Sequence, residues 1–277
     1  MAEITVIGGI NIDIEGMPYE ELIYKDSNPG RIRMSYGGVG RNITENIARL
    51  GGDVAMVSGD DYMGAGAVEE LRSLGVDTSH ISVAEGENSA MYLSILNHRN
   101  DMELAICNMD ILERITPEFI DSARPLIEQS RIVALDTNLE PELLEYVVKT
   151  TKETAKFLDP VSVTKAARAA DIIGKFDIIK PNLLEAEILS DIRIRDEKGI
   201  RKAGAAFLDK GVQKVYINCQ WPDSRRSAIY RPSFVLNEDG SATMKTAKEY
   251  KLTIADKVSG RAETYNNEFY GSAYVEL

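Results

Sequence analysis

The first apolar run, Ile4-Thr5-Val6-Ile7, is rich in β-branched residues and stops at Gly8-Gly9, which predicts a strand running into a turn. Ile43, Ile47 and Leu50 then recur at helical spacing and end at Gly51-Gly52, so a helix is expected there. Residues 54–58 read as a strand, and Ala67, Leu71 and Leu74 as the stripe of a second helix closing at Gly75. The alternation continues with Thr116-Pro117 as cap and first-turn proline of a helix, a strand at 131–135 and a helix at 141–151. Strands at 156–158, 177–180 and 214–218 follow, with helical segments at 183–189 and 197–208 between them. Strands separated by helices imply parallel pairing through right-handed crossovers. The expected fold is a doubly wound α/β sandwich with a mainly parallel central sheet, in one domain over residues 1–277.

Two stretches break this rhythm, 10–36 and 90–108. Within the second, 92–96 and 103–106 look like a hairpin turning around 97–101. Together they predict a small β-sheet inserted in the domain, suited to a lid over an active site. No linker composition, repeat or low-complexity segment is present.

Composition narrows the chemistry. Of the 277 residues 44% are hydrophobic and 27% charged, and no apolar run approaches the roughly 18 residues of a membrane span. Met1-Ala2-Glu3 lacks the basic flank of an export signal and 4–9 is too short for its apolar core, so a cytoplasmic location is expected. Cys107 and Cys219 are far apart without a CxxC pair, and His80 and His98 are the only histidines, which argues against disulfides and a zinc or histidine metal site. A formal charge of −12 argues against nucleic acid as a partner. Small-molecule chemistry remains.

The glycine cluster Gly37-Gly38-Val39-Gly40 lets backbone approach a ligand closely, and Asn42 offers an amide that donates to and accepts from sugar hydroxyls. The competing role is local, because Asn42 with Glu45 is also a helix-capping arrangement. Asn11 and Asp13 follow the first strand at the carboxyl end, where open α/β sheets bind ligands. A carboxylate there accepts two vicinal hydroxyls of a ribose-like ring, although an Asx turn is an equally natural use.

The ordered set Gly8-Gly9-Ile10-Asn11-Ile12-Asp13, Gly37-Gly38-Val39-Gly40-Arg41-Asn42 and Gly59-Asp60-Asp61 with Gly64 resembles the PfkB/ribokinase family of sugar and nucleoside kinases. Asp101-Met102 with Asn108-Met109-Asp110, Asp136-Thr137-Asn138-Leu139, and Asp159-Pro160-Val161-Ser162 with Lys165-Ala166 resemble its pseudouridine kinase branch. The resemblance covers about residues 3–215. It implies a ribokinase-like fold, ATP and Mg²⁺ as cofactors, and a sugar or nucleoside substrate. By it, Asn11, Asp13, Gly38 and Asn42 hold the sugar, Asn138 meets a ribose hydroxyl, and Tyr92 on the lid closes over the ring or base. Lys180-Pro181-Asn182-Leu183-Leu184-Glu185 matches the family's Asn-x-x-Glu motif, so Asn182 and Glu185 place Mg²⁺ and the phosphates, Glu185 through water; the local alternative is a helix cap. Asn218 falls in the region that meets the nucleotide. His98 and Arg99 are expected in solvent, and the lid is expected to pair two subunits into a homodimer.

The carboxyl end departs from the pattern. Where the family has Gly-Ala-Gly-Asp, with an anion hole at a helix N-terminus and an aspartate base, this chain has Gly260-Arg261-Ala262-Glu263. Glu263 is the candidate base, displaced by about 1 Å through its extra methylene, an error that can cost roughly a hundredfold in rate. Arg261 either blocks the hole or adds positive charge to the phosphate. Gln220-Trp221-Pro222-Asp223-Ser224-Arg225-Arg226 replaces a glycine-containing nucleotide turn, and the chain ends at Leu277, where relatives continue. Departures clustered in residues 218–277 suggest relaxed selection, truncation or a frame change. Three readings stay open: an active kinase, a relative that binds nucleoside or sugar without phosphorylating it, and a Rossmann dehydrogenase, which lacks support because no Gly-x-Gly-x-x-Gly follows the first strand.

Overall fold

The computed structural model describes residues 2–84 and 86–218 and, as backbone, the strands at 233–236, 242–245, 251–255 and 262–266. Two compact units divide it, Met1–Ser130 and Arg131–Leu277. No described helix is long and apolar enough to cross a membrane.

In the first unit β1 (Ile4–Ile7) is buried along its whole length, as a strand covered on both faces must be. It runs into β2 (Asn11–Pro18), which pairs antiparallel with β3 (Gly30–Gly37). The chain then enters α1 (Val39–Arg49), whose Ile43 and Ile47 are buried, and returns as β4 (Val54–Asp60), parallel to β1. After α2 (Ala65–Ser73), β5 (Asp77–Val83) extends the parallel order β1-β4-β5. β6 (Met91–Leu96) and β7 (Met102–Asn108) form the expected hairpin, and α3 (Pro117–Ser122) and α4 (Arg124–Gln129) complete the unit. Thr116 caps α3 as its sequence predicts, its hydroxyl accepting the Phe119 N–H at 3.2 Å.

β3-β2-β6-β7 is a separate four-stranded sheet, built from the two stretches expected to form a lid. Its register sorts the residues by face, because side chains alternate along each strand. One face carries the rows Met34–Ile14–Leu93–Ile106 and Ile32–Gly16–Ile95–Leu104. Its outer members are strongly exposed, with Ile32 at 78%, Met34 at 64% and Ile106 at 61%. The opposite face carries Ser35–Asp13–Tyr92–Cys107 and Arg33–Glu15–Ser94–Ala105.

The second unit repeats the alternation with β8 (Ile132–Asp136), α5 (Pro141–Thr150), β9 (Ala155–Asp159), α6 (Val163–Ala166), β10 (Ile178–Ile179), α7 (Leu183–Ser190), α8 (Glu197–Asp209) and β11 (Lys214–Asn218). These four strands are parallel in the order β8-β9-β10-β11, and Val133, Leu135, Leu158 and Ile179 are fully buried in them. β12 (Ser233–Leu236) and β13 (Ala242–Lys245) add antiparallel to β11, and β14 (Lys251–Ala255) pairs with β15 (Ala262–Asn266) as a two-stranded sheet.

Candidate active site

In the first unit the glycine turn and the β1–β2 connection are built around each other. Asn11 opens β2 directly opposite Gly37, and Asp13 follows on the same face. The Asn11 amide donates to the Asp13 carboxylate at 2.5 Å. A methyl group on Gly37 would fall 2.1 Å from Asp13 Oδ2, and one on Gly38 would fall 2.3 Å from the Gly9 carbonyl oxygen and 3.0 Å from Asn11 Oδ1. Gly38 also has φ 100, a region side chains rarely adopt. The glycines are thus what allows a polar pair and a turn to share one space.

Gly38 is also the N-cap position of α1, which begins at Val39, so Asn42 lies inside the first turn and not at the cap. The capping role weighed for Asn42 and Glu45 is therefore not used: Glu45 instead pairs with Arg41 at 2.8 Å, and Asn42 is exposed. Arg41, only 4% exposed, also meets Glu70 at 2.8 Å and the Tyr36 carbonyl at 3.2 Å. It anchors the turn from below and holds positive charge near Asp13. Burial raises the Asp13 pKa, opposed by the Asn11 hydrogen bond and the Arg41 charge. Tyr92 lies beside Asp13 in register on the same lid face, half-buried, with its hydroxyl on the Met102 sulfur at 3.4 Å. His98 and Arg99 are exposed at the hairpin tip.

Gly59-Asp60-Asp61 with Gly64 serves the turn after β4. Ser89 hydrogen-bonds both carboxylates, and Asp61 accepts the Met63 N–H at 2.7 Å. Burial raises the Asp60 pKa; Asp61 is also penalised by burial, but its hydrogen bonds outweigh that and lower it. A methyl on Gly64 would lie 1.9 Å from Asp60, so this motif is read as packing chemistry.

In the second unit Asn182, Glu185 and Asn218 come together. A parallel bridge joins Asn182 to Asn218, and the Asn218 N–H donates to the Pro181 carbonyl at 2.8 Å. The local alternative for Asn182 and Glu185 is realised, since they form a full capping box on α7. Asn182 donates to both Glu185 oxygens, by N–H at 2.8 Å and amide at 2.6 Å. Burial pushes the Glu185 carboxyl up, with the Asn182 backbone bond opposing it, Asp159 adding to it and Lys180 offsetting it. Lys180 pairs with Asp159 at 3.1 Å, at the end of β9. Asn138 follows β8, its N–H on Asp136 at 2.8 Å. Val161 has φ 63, a conformation costing a β-branched residue about 1–3 kcal/mol; the Asp159 carboxylate accepts its N–H at 3.0 Å.

Residues 1–219 match the model of the pfkB family of carbohydrate kinases. The chain belongs to that family. It is 34% identical over 217 residues to the pseudouridine kinase of Escherichia coli (strain K12), covering 78% of this chain and 69% of that one. It is 37% identical over 215 residues to an uncharacterised sugar kinase of the same organism, YeiI, covering 77% of this chain and 59% of that one. The ribokinase of Giardia lamblia superposes with a TM-score of 0.74 at 16% identity, over 88% of this chain and 80% of that one, so the fold is ribokinase-like.

The family match ends next to Gln220, where the motif reading departs. Gly260 and Arg261 lie outside the described residues, while Glu263 falls in β15, paired with Ile254. A strand start does not gather free N–H groups as a helix N-terminus does. That differs from the helix entry which the resemblance implies at this point. Among the described residues, no group of three or more His, Cys, Asp or Glu is gathered for a metal ion.

Proposed function

We propose that this pfkB-family protein transfers the γ-phosphoryl of ATP, with Mg²⁺, to the 5′ hydroxyl of a nucleoside or pentose, with a pseudouridine-like nucleoside favoured. The observation that carries this reading is the Asn11–Asp13 pair seated against Gly37 and Gly38, an acceptor-rich group held open by residues with no side chain. Asp13 would accept two hydroxyls, Asn42 and Asn138 would add amide contacts, and Tyr92 would cover the ring. Asn182, Glu185 and Asn218 would face the phosphates. Their donor chemistry suits a hydrated Mg²⁺ met by Glu185 through water, because both Glu185 oxygens already accept from Asn182. When bound, the ion would neutralise charge on the phosphates. Glu263 would be the base.

A second reading, binding without phosphorylation, is favoured by one observation: Glu263 belongs to a strand and lies beyond the family match. A coupled ADP-release assay across nucleosides and pentoses separates the two. Turnover that falls in Glu263→Gln supports the kinase; ligand binding with no turnover supports the second reading. We further propose a cytoplasmic protein that dimerises through the apolar lid face, where Ile32, Met34 and Ile106 are exposed. Sedimentation of the unaltered chain is expected to give a dimer, and Met34→Glu with Ile106→Glu a monomer; a monomeric unaltered chain would refute this interface.

A further inference from the structure

The loop after β8 is held by a set of bonds to its backbone and to the Thr137 hydroxyl. Its Asn138 N–H is held by Asp136 at 2.8 Å, and the Thr137 hydroxyl donates to the Pro160 carbonyl at 2.5 Å. Arg168 Nη1 lies 3.4, 3.0 and 3.3 Å from the carbonyl oxygens of Thr137, Asn138 and Leu139, and pairs with Glu140 at 3.1 Å. The backbone is therefore fixed, and rotation of the Asn138 amide is the freedom left. Lys165 Nζ lies 2.5 Å from Asn138 Oδ1. An ammonium donates and never accepts, so the atom it meets must be the amide oxygen. Ser162 caps α6 and so sets the position of Lys165, its hydroxyl accepting the Lys165 N–H at 3.4 Å. Among the described residues the Lys165 ammonium has no carboxylate partner.

We infer that Lys165 is a positioning residue for the substrate, turning the Asn138 amide so that its NH2 is the group left to meet an oxygen acceptor of the ligand. This rests on the reading of Asn138 as a substrate contact. A neutral amide held by an unneutralised cation is an economical orienting device, because the reversed amide would place NH2 against ammonium and lose a charge-assisted bond. A hydroxyl lone pair or ring carbonyl is thus accepted at this point, and an amino group is opposed.

Calorimetry with pseudouridine, uridine and ribose on the full chain tests this. Lys165→Met, which keeps the stem and removes the donor, is expected to weaken binding about tenfold with an unchanged melting temperature. Lys165→Arg, which can still donate to the oxygen, is expected to recover most of that loss. Because Lys165 acts through Asn138, the double variant Lys165→Met with Asn138→Ala should bind no more weakly than Asn138→Ala alone. Unchanged affinity in Lys165→Met, or losses that multiply in the double variant, would overturn the inference while leaving the substrate reading intact. No binding of any of the three ligands by the unaltered chain would remove the substrate reading, and this inference with it.

Discussion

Gly38→Ala is expected to lose about 3–5 kcal/mol of stability and, in whatever fraction still folds, most sugar binding. Two costs add at this position. The residue has φ 100, and the new methyl would stand 2.3 Å from the Gly9 oxygen and 2.8 Å from its carbonyl carbon, both backbone atoms. Neither can swing aside as a side chain would, so the β1–β2 connection itself must move. Asn11, with its Oδ1 3.0 Å from the same methyl, would move with it and take Asp13 along. Gly51→Ala is the matched comparison: φ is 86 there too, but nothing lies within 4 Å of the added atom. It should cost only about 1 kcal/mol. Denaturant midpoints of the pair measure the difference, and equal losses would show that backbone conformation, not the close approach, makes glycine necessary at 38.

Asp13→Asn is expected to weaken ribose-type ligands by about a hundredfold, because two charge-assisted acceptor bonds are reduced to one neutral acceptor. Its effect on stability should have the opposite sign. Burial raises the Asp13 pKa in the folded chain, so the folded state holds that proton more tightly than the unfolded one. The ionised carboxylate then weakens the fold at neutral pH, fully above its folded pKa, and that penalty fades as pH falls through the folded pKa and is gone below the unfolded one. Asparagine removes the penalty, so the melting temperature should rise at neutral pH and the gain should shrink in acid. Ligand affinity of the unaltered chain should fall on acidification, beginning at a higher pH than an ordinary aspartate would give. A variant that binds normally, or that melts lower at neutral pH, would contradict this account of Asp13.

Much of this arrangement is legible in residue order. Ile4–Ile7 reads as a strand because all four residues are buried in a parallel sheet, and the glycine clusters mark the turns that bring Asn11, Asp13 and Gly38 together. The β6–β7 hairpin is legible because its two apolar-rich runs flank a polar turn, whereas β2 and β3 are not, since 10–36 shows only as a break in the helix–strand rhythm. β5 is not, since Asp77-Thr78-Ser79-His80 carries no apolar period, and pairing with β4 alone makes it a strand. Asn42 looks like a cap because Glu45 follows three residues later, yet Gly38 already starts the helix, and both side chains turn to Arg41 instead. The role of Arg41 depends on Glu70, brought close by α2, and that of Lys165 on Asn138. Partnerships across that much sequence leave no local signal. The one available hint was a cation inside a glycine turn.

The most direct test is product formation from pseudouridine, uridine and ribose with ATP and Mg²⁺, read by mass spectrometry. The account predicts a singly phosphorylated product from the unaltered chain, most readily from pseudouridine, and its loss in Asp13→Asn. No phosphorylated product from any of the three, or equal product from Asp13→Asn, would contradict it.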